Sequence, residues 1–171
     1  AKALATVNAR GLGRLTGFTC ENEIGDDALE VLTDHPLNGA YSGYRRDSRQ
    51  SFSHDAATAF GRSSDQAESL ARLVDYAKQE LAACAMGVFE NELGGRICVA
   101  GYFPWGYHGT TAKSLQIKSV MRWLSKDTLP SYVASFHRIN LWQRRCSNNQ
   151  VALAMLNGSF DVAQEVTLML K

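Results

Sequence analysis

Residues 64–93 read SDQAESLARLVDYAKQELAACAMGVFENEL, and the meaning of this stretch decides the fold. Leu70, Leu73, Val74, Ala77, Leu81, Cys84 and Val88 recur at intervals of three and four, the spacing of one helix face. Ser64 or Asp65 stands where a helix cap belongs, and Gly94-Gly95 where a helix stops. Glu68 and Arg72 are four apart, which adds an ion pair worth a few tenths of a kcal/mol. A helix of roughly 29 residues spans about 43 Å, so it is expected to be the central element, or to bend near Gly87.

Working outward, a short helix is expected over 26–35, where Asp26 and Asp27 suit its N-terminus and Pro36 ends it. Residues 36–63 read as a long loop, with Ala56–Phe60 forming at most one helical turn. Arg96–Phe103 is the best strand candidate, with a partner sought in 37–55. Thr110 or Thr111 caps a helix to about Lys126, on an apolar stripe of Ile117, Val120, Met121 and Leu124. Helices over 128–145, 147–156 and 159–170 complete the pattern. The expected fold is therefore mainly α: a single-domain helical bundle over residues 1–171 with a long central helix and at most a small β element. Residues 1–63 form its acidic, loop-rich part and residues 64–171 its helical core.

Composition sets wider bounds. The chain has 171 residues, 45% hydrophobic and 20% charged, which argues against disorder. No apolar run approaches the roughly 18–20 residues that span a bilayer, so no membrane role is expected. Cys20, Cys84, Cys98 and Cys146 lack zinc-knuckle spacing, and their low density fits a reducing, cytoplasmic compartment. His35, His54, His108 and His137 are scattered, and no phosphate-binding glycine motif occurs, so neither metal nor cofactor is expected.

Charge is the most informative feature. Residues 1–95 hold nine Lys/Arg and fourteen Asp/Glu, a net of −5. Residues 96–158 hold Arg96, Lys113, Lys118, Arg122, Lys126, Arg138, Arg144 and Arg145 against Asp127 alone, a net of +7. On a helix, Lys118, Arg122 and Lys126 share one face, as do Arg138 and Arg145. Trp105, Trp123 and Trp142 fall in this segment, and Arg45, Arg46 and Arg49 cluster in the long loop. Cationic side chains neutralise phosphates and exposed aromatics stack on unpaired bases. The expectation is a nucleic-acid-binding or packaging protein, self-associating and engaging RNA or DNA. Its contacts would be Arg45, Arg46, Arg49, Lys113, Lys118, Arg122, Lys126, Arg138, Arg144 and Arg145, with Trp105 or Trp142 stacking.

Two other readings stand beside it. The pI of 7.9 is low for a dedicated nucleic-acid binder, and the acidic and basic halves can neutralise each other in one fold. They can also pair between copies, which describes a structural subunit or a protein-binding module. A Cys-His hydrolase or transferase would use Cys20 with His108 or His137. Separately, Tyr107-His108-Gly109-Thr110 resembles the His-Gly-Thr element of diphtheria-type and poly-ADP-ribosyl transferases, over about five residues. That resemblance implies a nicotinamide nucleotide held by His108 and Thr110. It also implies a long β-rich stretch ending in a catalytic glutamate, whereas the residues after Thr110 read as helices, with Glu165 their sole glutamate. A glycine turn with Thr110 capping the next helix accounts for the same residues.

Overall fold

The computed structural model describes residues 13–25, 28–43, 45–47, 57–102 and 110–171. These residues are mainly β, which corrects the expectation of an all-α bundle. The chain divides into two compact units, one ending at Leu124 and the other comprising Ser125–Lys171.

The first unit opens with a helical turn, α1 (Gly13–Thr16), and strands β1 (Phe18–Ile24) and β2 (Leu29–Leu32). A 3-10 helix (Pro36–Tyr41) and β3 (Arg45–Asp47) follow, then β4 (Ala57–Arg62), β5 (Glu68–Val74), β6 (Glu80–Glu90) and β7 (Arg96–Ala100). The unit ends with α2 (Thr111–Leu124). One antiparallel sheet runs in the order β3-β2-β5-β6-β7, and β1 pairs with β4 separately.

The expected central helix is thus a hairpin of β5 and β6. Its turn is written in Asp75–Gln79: the Asp75 carboxylate accepts from the Gln79 amide at 2.7 Å, and Lys78 adopts φ 70°. A β-turn closed by the Lys78 amide donating to the Asp75 carbonyl at 3.0 Å, with one left-handed residue, reverses the chain where a helix would continue. The helical spacing arose because these strands are apolar on both faces. In β6, Cys84 through Phe89 are all buried, and consecutive strand residues point to opposite sides. A strand covered on both faces reads as a continuous apolar run, which periodicity cannot distinguish from a helix.

Two clusters fill the core. One gathers Leu70, Leu73, Met86, Val88 and Tyr102 with Val120 of α2; the other gathers Phe18, Phe60, Cys84, Phe89 and Val99. Phe18 and Phe60 pack with ring centroids 6.2 Å apart and planes tilted by 59°. Burying a side chain such as Phe18 contributes roughly 2–3 kcal/mol. Gly101 stitches β4 to the five-stranded sheet: its carbonyl accepts from Thr58 at 2.7 Å and its amide donates to Ala85 at 2.8 Å. A Cβ there would lie 1.8 Å from the Thr58 carbonyl oxygen, so only glycine permits this approach.

Further corrections follow from the same alternation. Of the helix expected over 26–35, the described residues 28–35 hold β2 instead, and of the helical turn expected over Ala56–Phe60, residues 57–60 lie in β4. The strand expected from Arg96 exists as β7, but its partner is β6, and residues from 37–55 enter the sheet as β3 beside β2. The helix from Thr111 is kept and ends at Leu124. Lys126 and Asp127 follow it with φ 50° and 58°, outside the helix.

In the second unit none of the three expected helices forms: strands take the place of the first two, and 159–167 are irregular before a three-residue strand. β8 (Ser131–Val133) pairs with β11 (Leu168–Leu170), and β9 (Ile139–Arg145) pairs with β10 (Val151–Asn157). The β9–β10 hairpin turns at Ser147–Asn149, where Asn149 adopts φ 61° and the Cys146 amide donates to the Gln150 carbonyl at 2.8 Å.

Candidate interaction surface

Folding disperses the residues expected to form a basic surface. Lys113, on the inner side of α2, is 1% exposed. Its ammonium donates to Glu30 Oε1 of β2 at 2.5 Å and to the Tyr102 hydroxyl oxygen at 2.6 Å, and it lies 4.9 Å from the Tyr102 ring centroid. The Tyr102 hydroxyl donates to the same Glu30 oxygen. A buried lysine needs an opposite charge and further hydrogen bonds, and this cluster supplies both. Beside it, Gln116 donates to Asn38 Oδ1 at 2.6 Å, and Asn38 donates to the Leu70 carbonyl at 2.9 Å. These polar contacts tie α2 to the sheet and to the 3-10 helix.

Arg96 is also used inside the first unit. Its Nε donates to Glu90 at 2.6 Å, its guanidinium lies 5.0 Å from the Trp123 ring centroid, and it donates to the Trp123 carbonyl at 2.8 Å. The acidic first half and the basic segment therefore neutralise each other in part within this unit. Lys118 and Arg122 are half-buried on α2, and burial pulls the Lys118 ammonium below its ordinary range. Arg45 and Arg46 lie on β3, whereas Arg49 and Trp105 lie outside the described residues.

The remaining predicted site residues belong to the second unit. Arg138, Arg144, Arg145 and Trp142 are exposed, Trp142 by 56%. The strand geometry corrects the expected helix face. Arg138 sits at one end of the hairpin and Arg145 at the other, roughly 20 Å apart at the rise of an extended chain. Trp142 and Arg144, two apart on β9, share one face with Asn140. Across from them stand Ala154, Ala152 and Leu156, so Trp142 and Leu156 protrude over small neighbours. The opposite face carries Ile139, Leu141, Leu153 and Met155, and part of it lines a shallow apolar groove with Phe160, Val162 and Val166.

The apolar character of this unit is what sequence reasoning missed. Val133 is the one buried residue in Ser125–Lys171, all of which are described. Met155, Leu156, Phe160, Val162 and Leu170 are all more than half exposed. The signal was present: the alternating run Ile139–Trp142 and the apolar run Val151–Leu156 flank Ser147-Asn148-Asn149, the pattern of a hairpin.

The cysteine alternative finds unfavourable electrostatics. Burial pushes the Cys84 and Cys98 thiols up to about 11 and also raises Cys20. A nucleophilic cysteine needs the reverse shift. His137 contacts Ser135 Oγ at 3.1 Å and stacks on Phe136, and His108 lies outside the described residues. Among the described residues no three His, Cys, Asp or Glu side chains gather, and no helix is long and apolar enough to cross a membrane. No family model, curated protein or solved structure matches this chain.

Proposed function

We propose that this chain is a self-assembling structural module, and that the β9–β10 hairpin is its contact surface. The observation that carries this reading is the exposure of Trp142, Met155, Leu156, Phe160 and Leu170 in a unit with one buried residue. An exposed apolar surface of this kind marks an interaction site, and a unit of this size does not bury enough surface to be stable by itself. Covering such side chains contributes roughly 25 cal/mol for each Å² removed from water. The hairpin also has unpaired strand edges among the described residues, and such edges favour association. Sedimentation velocity over a range of concentrations tests the reading. The chain is expected to associate as concentration rises, and the double variant Trp142→Ser/Leu156→Ser to remain at the mass of one chain. A native chain that sediments as a monomer at every concentration sinks it.

A second reading, binding of single-stranded nucleic acid, rests on Trp142 and Arg144 sharing an exposed strand face. That arrangement suits one stacked base and one phosphate. Titration with single-stranded RNA would quench Trp142 fluorescence, with salt weakening the effect. Unchanged fluorescence at low salt removes this reading.

A further inference from the structure

We infer that the surface met by the hairpin is the acidic β1 edge of a second copy of this chain. The inference rests on the assembly reading and names its partner. Between Leu15 and Tyr44 the sequence holds Glu21, Glu23, Asp26, Asp27, Glu30 and Asp34 and no Lys or Arg. Between Thr128 and Phe160 it holds Arg138, Arg144 and Arg145 and no Asp or Glu. The two stretches lie in different units, and each places two of its charges on a strand that is an edge among the described residues. Among the described residues β1 pairs only with β4, and Glu21 and Glu23 are exposed along it. Among the described residues β9 pairs only with β10, and Arg144 and Arg145 are exposed at its end.

Several other acidic side chains are already paired within the first unit. Glu30 is held by Lys113, Glu90 by Arg96 and Glu80 by Arg72. Glu21 and Glu23 are instead exposed along β1, a strand with a free edge among the described residues, and such an edge is where a second strand docks. Opposite potentials on two edges steer encounter and fix which edges meet, while the apolar hairpin residues supply burial. Two different patches on each chain make the contact heterologous, so assembly closes into a ring or extends as a filament.

Charge reversal with rescue tests this in the full chain, read by sedimentation at low and high salt. Glu21→Arg/Glu23→Arg alone, and Arg144→Glu/Arg145→Glu alone, are each expected to weaken association by about tenfold or more. An equimolar mixture of the two variants is expected to regain association, because the hairpin of one then faces the oppositely charged β1 of the other. Circular dichroism checks that each variant keeps its strands. If native chains associate and either reversal leaves association unchanged, the β1 partner is overturned while the assembly reading stands. Failure of the mixture to regain association likewise overturns it. If native chains never associate, both readings fall.

Discussion

The first unit and Ser125–Lys171 treat the same kinds of residue in opposite ways. In the first, apolar side chains go inward and the charges that must accompany them are paired: Lys113 with Glu30 and Tyr102, Arg96 with Glu90. In the second, Trp142, Met155 and Leu156 lie on exposed strand faces and the arginines extend along them. The central strands of one sheet, β5 and β6, bury side chains on both faces, whereas each second-unit sheet has only two strands. Two-stranded sheets are marginal without something packed on them. Charge segregation along a chain is therefore not one signal. Part of it is internal complementarity and part is surface.

The largest expected break of this contrast is Glu30→Ala. It leaves the Lys113 ammonium buried without its carboxylate and is expected to cost about 3–5 kcal/mol in denaturant unfolding. Leu156→Ser, on the exposed hairpin face, is expected to change the same measurement by less than about 0.5 kcal/mol. Equal effects would erase the distinction between the two regions.

A smaller effect concerns pH. The Cys84 and Cys98 thiols are held at about 11 in the folded chain against an ordinary value of 9.0, because burial disfavours the thiolate. The folded state therefore keeps its protons longer than the unfolded one. The stability these thiols contribute is fully present below pH 9 and is lost as pH rises toward and through 11. Alkylation at pH 8 is expected to be about a hundredfold slower at these two than at a thiol of ordinary value, from thiolate content alone. Rapid labelling of Cys84 in the folded chain contradicts its burial.

The smallest effect sharpens the fold itself. Lys78 has φ 70° in the β5–β6 turn, a conformation that glycine adopts freely. Lys78→Gly is expected to raise stability by a few tenths of a kcal/mol, since it relieves a left-handed side chain. In the helix that the sequence suggests, the same change would cost about 1 kcal/mol. The sign of the shift in thermal denaturation separates hairpin from helix.

Some of this was legible in the residues. The helix from Thr111 and the strand from Arg96 were both readable, because capping threonines and a glycine-bounded run of Ile97 and Val99 are local signals. So was the exposure of Arg144 and Arg145, which follows from charge. The identity of 64–93 was not readable, because Leu, Ala, Glu and Gln favour helices and tertiary pairing outweighs that preference. The fate of Lys113 was equally hidden, since its place on a basic helix implied solvent until Glu30 and Tyr102 closed around it.

By itself, then, the sequence determined composition, the uneven charge and those elements whose signals lie within a few residues. Only the tertiary structure decided which apolar runs became strands, which charges neutralised each other and which side chains stayed on the surface. The physical reason is that strand pairing and ion-pair burial join residues far apart in the chain, such as Glu30 with Lys113, and no local pattern records that proximity.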